Sequence, residues 1–424
     1  MGSSVNDTNK EPSCKLTMFP ANEGDCFLLE FGTGKDAFRM MIDSGTVGFG
    51  NHYLKEYLQK HDFKKNEKMI DLLLITHFDR DHIGGALSIL RDSDYCGLIK
   101  EIWHNGLKQI APDLPMKTDD ASKSTIEELN AKMGYIAEDE SQKDKSVEAQ
   151  RCPVSAKQSE TLSKFINQYK IKVNTPQGGR AIVAGIPKVD LGPQKDVEVF
   201  FLLPPKEHLD ALLDYFKINL GLKVKASQEV ECEELFEKIS VKNQPASVEV
   251  KACAGEDTDI LHLEDWLRRY NHLSDTSQTN ASSIAIIIRY KKKKLLFPGD
   301  AWGQELSDAL TKWLSENPEE TLEFDVVKLP HHGSCRNCWD LLNTEGFDGK
   351  IFLVSTDGEK HGHPHKETLA KIVHRHPEKK KVLAFNYTSH ARYGMFADEQ
   401  TQKKYNYCIE DDQEFPEFEV KENA

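Results

Sequence analysis

The sequence predicts an α/β protein in which apolar strands and amphipathic helices are arranged in layers. Predicted helices separate many of the strands. One of them is indicated by apolar residues at helical spacing, namely Leu162, Phe165, Ile166 and Tyr169. Predicted strands cover 26–30, 38–42, 70–75, 197–203, 284–290, 295–297, 324–329, 350–354 and 381–385. Four of these strands end in turns that carry His or Asp. Such turns are expected to converge on one end of the sheets.

Composition narrows the class of protein. The chain has 424 residues and a formal net charge of -14, which weakens the case for broad, sequence-independent binding of nucleic acid. Its nine cysteines are scattered without the spacing of a disulfide framework. The start of the chain lacks the apolar core of a signal peptide, and the apolar run 284–288 is too short to cross a bilayer. We therefore predict a cytoplasmic protein with no membrane partner.

The predicted domain organisation is a single domain over 12–424 with two charged, partly helical insertions, at 105–196 and 206–274. The first insertion contains the polar run 137–145, which has little apolar surface to bury. The second contains an apolar stripe at helical spacing, formed by Leu209, Leu212, Leu213, Phe216 and Leu220. Both stripes are interpreted as core contacts.

The turn Thr-His-Phe-Asp-Arg-Asp-His-Ile-Gly-Gly at 76–85 carries His77, Asp79, Asp81 and His82 between a predicted strand and a predicted helix. Two imidazoles and two carboxylates crowded on one turn would be poorly compensated when buried, unless divalent cations lie among them. An acidic surface turn is the alternative interpretation, but it does not explain the two glycines that end the turn. The sequence therefore favours a metal site.

Three later turns also follow predicted strands. Asp300 either bridges two metal ions or begins a helix as its N-cap. His331 and His332 are adjacent, so at least one of the two must point away from whatever the other contacts. His363 belongs to the last of these turns. The positions after successive strands favour one shared site.

Taken as an ordered set, these motifs resemble the metallo-β-lactamase fold, and most of all the hydrolase domain of ComEC-type competence proteins and their stand-alone relatives. The motifs are Gly24-Asp25-Cys26, Ile42-Asp43-Ser44-Gly45, the turn 76–85, Asn280-x-Ser282, Gly299-Asp300, Pro330-His-His-Gly-Ser334 and Gly362-His-Pro-His365. The resemblance spans about 15–380, apart from the two insertions. It implies an αββα sandwich with a metal site at one edge of the paired sheets.

The resemblance also implies roles for individual residues. One metal ion would be held by His77 and Asp79, the other by Asp81 and His82, with Asp300 as the bridge. His331 or His332 would complete or flank the site, and His363 would be a late ligand or a group that positions the substrate. Asp43 resembles the carboxylate that orients a ligand imidazole.

Two departures from the wider superfamily leave the metals open. The second ligand of the usual His-x-His-x-Asp-His run is Asp79 here, an oxygen ligand that shifts preference from zinc towards manganese. Pro204 and Pro205 stand where many relatives place another ligand His, while the nearby His208 lies in a predicted helix. We expect two divalent ions, Zn or Mn, of which the first is weakly held or completed by His331, His332 or His363.

The predicted function is a metal-dependent hydrolase, with a phosphodiesterase or nuclease favoured, that uses a metal-bound hydroxide. Asp81, His331 and His363 are the predicted catalytic residues, the two imidazoles acting on the oxyanion or the leaving group. The alternatives are hydrolysis of a non-nucleic-acid ester or amide, and a partner-binding module with a structural metal site. Expected partners are a nucleic acid or nucleotide substrate, or a protein bound through the insertions.

Two short motifs receive structural interpretations. The basic run at 291–294 is interpreted as a solvated hairpin turn in preference to a nucleic-acid contact. Cys335 and Cys338 form a single C-x-x-C, without the second pair of a zinc ribbon, and are interpreted as reduced thiols in a helical turn.

Overall fold

The computed structural model describes residues 14–63, 68–113, 148–219, 274–359, 362–387, 394–411 and 417–420. Fifteen strands lie within these residues, and they form two sheets. The first sheet contains β1 Cys14–Met18, β2 Phe27–Phe31, β3 Phe38–Ile42, β4 Leu72–Leu74, β5 Glu101–Trp103, β6 Lys172–Val173 and β15 Glu417–Val420. Their order is β15-β1-β2-β3-β4-β5-β6.

The second sheet contains β7 Val189–Leu191, β8 Val197–Leu203, β9 Ala285–Tyr290, β10 Lys293–Phe297, β11 Glu323–Lys328, β12 Asp348–Val354, β13 Lys381–Phe385 and β14 Tyr407–Glu410. Their order is β14-β13-β12-β11-β10-β9-β8-β7. Every predicted strand corresponds to one of these fifteen, and the predicted hairpin of β2 and β3 is antiparallel as expected. Apolar runs with sufficient β-branched and aromatic residues explain this agreement.

The two sheets pack face to face through a continuous apolar layer. Phe27 of β2 meets Phe297 of β10 edge to face at 5.4 Å between ring centroids. Trp103 of β5 packs on Phe201 of β8 at 5.5 Å. All four side chains belong to one buried cluster, which draws on both sheets. This layer fixes the sheets as a sandwich.

Helices cover the outer faces. They are α1 Val47–Phe49, α2 Lys55–Lys60, α3 Arg80–Arg91, α4 Leu107–Ile110, α5 Glu148–Tyr169, α6 Lys206–Asn219, α7 Gln278–Ala281, α8 Gly303–Glu316, α9 Cys335–Cys338, α10 Lys366–His374 and α11 Glu399–Tyr405. One apolar cluster joins α3, α5 and α6 to the first sheet, and another joins α8 and α10 to the second. The architecture is an αββα sandwich, which confirms the predicted fold class.

Strand direction brings the polar turns together. In the first sheet β3 and β4 are parallel, and in the second β10, β11, β12 and β13 are parallel. Parallel neighbours end at the same edge of a sheet. The backbone N–H of Ile284 donates to the carbonyl of Thr76 at 2.8 Å, which ties the start of β9 to the end of β4. This contact aligns the carboxyl ends of both sheets.

The structure excludes one of the two alternatives for Asp300 and corrects part of one local prediction. Asp300 is not an N-cap, because Trp302 precedes the first residue of α8. The basic run at 291–294 is a solvated hairpin turn only in its first half. Lys291 and Lys292 are exposed turn residues, whereas Lys293 and Lys294 lie in β10 with only 7% of their surface exposed. Lys293 pairs with Asp325, and Lys294 pairs with Glu320. Their ion pairs allow the two ammonium groups to be buried.

The predicted insertion boundaries stay predictions. Within 105–196, β6 pairs with the first sheet and β7 with the second. Within 206–274 the structure describes α6, whose Leu209, Leu212 and Phe216 are buried, whereas Leu220 lies outside the described residues. The described part of the chain contains no helix that combines the length and apolarity needed to span a bilayer. Cys335 and Cys338 are buried free thiols, as the C-x-x-C interpretation predicts.

Candidate metal centre

The ligand-bearing turn follows β4 and leads directly into α3, which begins at Arg80. Close packing of α3 holds this turn in place. A Cβ atom on Gly85 would lie 1.9 Å from the carbonyl oxygen of Ser44, and one on Gly84 would lie 2.4 Å from the amide nitrogen of Val47. Only glycine allows so short a distance between α3 and the segment after β3. The two glycines therefore have a structural cause that the surface-turn interpretation lacks.

Asp300 lies at the centre of the site. Its Oδ2 atom faces the Nε2 atoms of His77, His82, His331 and His332 at 4.0, 3.5, 3.9 and 3.5 Å. Its side chain is only 4% exposed. Four imidazoles from two turns thus converge on one carboxylate oxygen, which a third turn supplies.

Ligand identity and spacing fit divalent ions. Groups of possible ligand atoms within 4.8 Å of one another include His77, His82 and Asp300, and also Asp81, His82 and His332. Ligand atoms about 2.0–2.1 Å from a tetrahedral ion lie roughly 3.4 Å apart, which is near the separations seen here. The buried Nε2 atoms of His77 and His82 have no hydrogen-bond partner. Buried polar atoms without partners are rare, and metal ions would satisfy both.

Hydrogen bonds fix each ring with Nε2 free to bind a metal. His82 Nδ1 lies 2.9 Å from Asp43 Oδ2, and His332 Nδ1 lies 2.8 Å from the carbonyl oxygen of Ser355. Both oxygens accept hydrogen bonds, so each Nδ1 donates and each Nε2 keeps its lone pair. The geometry of Asp43 thus agrees with the orienting role that the resemblance implies.

His77 is fixed in the same way through Thr76. The Thr76 hydroxyl donates to Asp43 Oδ2 at 2.8 Å, so it has no second hydrogen to donate. It can only accept from His77 Nδ1, which lies 3.1 Å away. Asp43 therefore orients two imidazoles, His82 directly and His77 through Thr76.

Three residues of the centre have backbone conformations that are unfavourable for residues other than glycine. The φ angles of Asp43, His331 and His332 are 56°, 47° and 55°. A left-handed conformation of this kind costs about 1–3 kcal/mol per residue and clusters at functional sites. Packing of the turns after β3 and β11 must overcome this cost.

The open side of the centre is formed by Asp79, Asp81 and His331. Their side chains are 31%, 20% and 26% exposed, whereas His77, His82, Asp300 and His332 are nearly or fully buried. Asp79 accepts a hydrogen bond from Thr279 of α7 at 3.0 Å. Partial burial and the nearby Asp81 raise the pKa of Asp79 to about 7. A ligand would approach the centre from this side.

His331 is held at the open side by a polar network that the sequence did not reveal. Its Nδ1 lies 3.0 Å from Asn337 Oδ1 and 3.5 Å from Asp275 Oδ2. Asn337 Nδ2 donates to Asp275 at 2.9 Å. Burial would lower the pKa of His331, but the charges of Asp300 and Asp275 outweigh it and raise that pKa to about 9. The metal-free centre therefore holds a cationic imidazole at its mouth.

The buried imidazoles differ in charge. Burial, together with the neighbouring His82, lowers the pKa of His77 to about 3, so this ring is neutral. Burial also disfavours protonation of His82, but the charges of Asp300 and Asp43 outweigh it and raise the pKa of His82 well above its ordinary value. A proton and a metal ion thus compete for His82 Nε2.

His363 lies beside the cluster, and its ring centroid is 5.1 Å from that of His331 and 6.3 Å from that of His332. Among the described residues it is not in the groups of convergent ligand atoms. His208 lies in α6, as expected, and its Nε2 is 2.6 Å from Glu305 Oε1. His208 therefore pairs with Glu305 through the nitrogen that would bind a metal ion.

Two further charged residues of the centre carry no role in the sequence interpretation. Lys328, the last residue of β11, contacts Asp25 Oδ2 and also Asp300 Oδ1, and all three side chains are almost fully buried. Asp25 Oδ1 lies 3.3 Å from His332 Nδ1. The sequence signal for Lys328 was its position in a predicted apolar strand, where a lysine needs a buried partner. Its partners come from distant parts of the chain, so sequence spacing could not supply them.

Part of the chain matches a known protein family. Residues 20–128 match the family model of the metallo-beta-lactamase superfamily. The matched part contains Asp25, Asp43 and the turn 76–85, whereas Asp300 and the two adjacent histidines lie beyond it.

The chain is similar to the metallo-beta-lactamase fold protein YhfI from Bacillus subtilis, with 9% identity and a TM-score of 0.36 over 96% of this chain and 99% of that one. No curated protein matches the sequence.

Proposed function

We propose that this protein is a metal-dependent hydrolase that cleaves phosphodiesters at a centre of two divalent ions. The observation that carries the proposal is the convergence of four Nε2 atoms on Asp300 Oδ2. A hydrolytic superfamily domain supports the reaction class. The resemblance of the motifs to the ComEC-type hydrolase domain supports the phosphodiester.

In this proposal His77 and Asp79 hold one ion, while Asp81, His82 and His332 hold the other. Asp300 lies between the two positions. Divalent ions held there would act as Lewis acids and lower the pKa of a bound water. Carboxylate oxygens form half of this ligand set or more, which favours manganese over zinc.

His331 is the residue best placed to act on an anionic substrate. It lies at the open side, and Asp275, whose Oδ2 is 3.5 Å from His331 Nδ1, favours its protonated form. A protonated imidazole there can donate to a phosphoryl oxygen or to the leaving group. The ring of His363 packs edge to face on it at 5.1 Å and limits its movement. We therefore assign His331 the proton-donating role and His363 a positioning role.

The distribution of lysines favours a nucleotide or a short oligonucleotide as substrate. Half of the basic run at 291–294 cannot contact a nucleic-acid backbone, because Lys293 and Lys294 are buried in ion pairs, whereas Lys291 and Lys292 are exposed. The chain is also strongly acidic as a whole. With so strong a net negative charge, the long-range attraction for a nucleic-acid polymer is weak. Binding would instead depend on contacts at the centre itself.

The test is hydrolysis of bis-p-nitrophenyl phosphate and of a short single-stranded oligonucleotide by chelator-treated protein with Mn, Mg or Zn added back. We expect cleavage only with added metal, and Asp300→Ala should reduce it by at least about 100-fold, because one residue serves both positions. Asp81→Ala should have a similar effect.

Asp308→Ala is the matched control, because Asp308 is an exposed residue of α8 whose side chain accepts a hydrogen bond from Gln304. This variant should keep full activity. Equal activity in wild type and Asp300→Ala would reject the proposed centre as the site of cleavage. Cleavage of carboxylic esters or peptides, with none of phosphodiesters, would reject the proposed substrate class.

A further inference from the structure

Lys328 is a buried cation whose hydrogen-bonding capacity is fully used inside the proposed metal centre. Its side chain is 1% exposed. An ammonium group has three donors, and the Nζ atom has three acceptors: Asp25 Oδ2, Asp300 Oδ1 at 3.2 Å and the carbonyl oxygen of Gly299 at 3.0 Å. Lys328 therefore has no donor left for a substrate.

The two carboxylate oxygens of Asp300 have different neighbours. Lys328 engages Oδ1, while Oδ2 faces the four imidazoles. A carboxylate free to rotate could instead present both oxygens to a single ion. The ammonium group restrains this rotation, and the bond from Lys328 to the Gly299 carbonyl fixes the ammonium relative to the Asp300 backbone.

We propose that Lys328 is a positioning residue that makes Asp300 a one-oxygen bridge and so sets the number of metal ions that the centre holds at two. The inference rests on the two-metal centre of the proposed function. Lys328 touches neither substrate nor metal in this role. It acts through Asp300.

Lys328 also connects the bridge to a second orienting carboxylate. Its partner Asp25 lies 3.3 Å from His332 Nδ1 through the other oxygen, Oδ1. Lys328 thus joins Asp300 and His332. Both residues come from turns of the second sheet, and both would hold the ion that Asp81 and His82 also hold. Loss of the ammonium would release Asp300 first, since Ser355 also holds His332 Nδ1.

The test compares Lys328→Met with wild type and with Lys350→Met, a matched change at a lysine that is 61% exposed. Metal equivalents are measured after loading with Mn and desalting, and the electron paramagnetic resonance spectrum distinguishes a spin-coupled pair from isolated Mn. Wild type and Lys350→Met should bind about two equivalents as a coupled pair. Lys328→Met should bind about one, with the spectrum of isolated Mn.

Lys328→Met alone leaves Asp25 buried without its cation, which threatens folding. The double variant Lys328→Met/Asp25→Asn removes one charge of each sign and keeps an acceptor oxygen beside His332. It should fold, with a cooperative thermal transition, and still bind about one equivalent. Asp25→Asn alone retains Lys328 and should bind about two equivalents.

A coupled pair of Mn ions in the double variant would overturn the inference, because Lys328 would then contribute only to stability. Wild type that binds fewer than two equivalents would overturn it as well. Wild type with a coupled pair but no hydrolysis of phosphodiesters would reject the proposed substrate class alone.

Discussion

At the scale of single residues, the centre depends on carboxylates that do not need to touch a metal. Asp43 accepts from His82 Nδ1 and from the Thr76 hydroxyl, and through Thr76 it also fixes His77. Its side chain is only 1% exposed. Burial raises the pKa of Asp43, and the neighbouring His82 partly offsets that rise. One carboxylate thereby controls two imidazoles of the proposed centre.

Asp43→Asn tests this control. The substitution keeps the size and the tolerance for positive φ, but it removes the charge that favours the His82 tautomer with a free Nε2. We expect metal affinity to fall about 10- to 100-fold. Competition against a chelating dye measures it. Asp94→Asn, at an exposed position, should leave the affinity unchanged, and an unchanged affinity in Asp43→Asn would show that the carboxylate is dispensable.

Individual residues also show what sequence reasoning can and cannot reach. The turn 76–85 and the adjacent His331 and His332 were identified because ligand types are concentrated in short runs. Asp275 and Asn337 were missed because each is an ordinary polar residue whose importance comes from contact with His331. Only the folded chain brings these side chains together.

At the scale of secondary-structure elements, the position of α3 decides where the first ligands lie. Gly85 allows this helix to contact the backbone of Ser44, and the Ser44 amide donates to the carbonyl of His82 at 2.8 Å. The Ser44 hydroxyl contacts the same carbonyl at 2.7 Å. A shift of α3 away from this segment would move His82 away from Asp300.

Gly85→Ala should therefore affect both stability and metal binding. The added Cβ would lie 1.9 Å from the Ser44 carbonyl, which is backbone and cannot yield without a movement of the segment. Overpacking of this kind costs about 1–3 kcal/mol in the free energy of unfolding. Chemical denaturation measures that cost, and dye competition should show weaker metal binding.

Gly48→Ala is the matched control. Gly48 lies in α1 at a negative φ, and the nearest atom to an added Cβ is 3.9 Å away. Alanine is the better helix former, so this variant should be as stable as wild type or more stable. If Gly85→Ala were equally harmless, the close approach of α3 would not be needed to hold the ligand turn.

Strands were predicted well because apolar runs report burial directly. Six strands were not predicted: β1, β5, β6, β7, β14 and β15. Four of these, β6, β7, β14 and β15, are the edge strands of the two sheets. β6 has two residues and β7 three, with few apolar side chains to indicate a strand. The burial of Lys293 and Lys294 was also missed, because a basic run normally indicates side chains that are exposed to solvent. Their partners Asp325 and Glu320 lie in or just before β11, which sequence alone does not place beside β10.

At the scale of the whole molecule, the centre joins the two halves of the sandwich. Asp43 and the turn 76–85 extend from the first sheet, whereas Asp300, His331 and His332 extend from the second. Ions held by these ligands would connect the turns of the two sheets. Metal binding should consequently stabilise the fold as a whole.

Thermal unfolding tests this coupling. Protein treated with a chelator should have a lower Tm than protein saturated with Mn, because ions at about 100 times their Kd add about 2.7 kcal/mol to the stability of the folded state. Asp300→Ala should lose most of this metal-dependent shift. A Tm that is independent of metal in wild type would mean that the convergent ligands do not bind ions in the folded chain.

The central claim is that Asp300 organises two metal positions, and the most direct test is the metal content of wild type and Asp300→Ala, measured by mass spectrometry after loading with Mn and desalting. The account predicts about two equivalents in wild type and less than one in the variant. Wild type without bound metal, or a variant that keeps both equivalents, would contradict it.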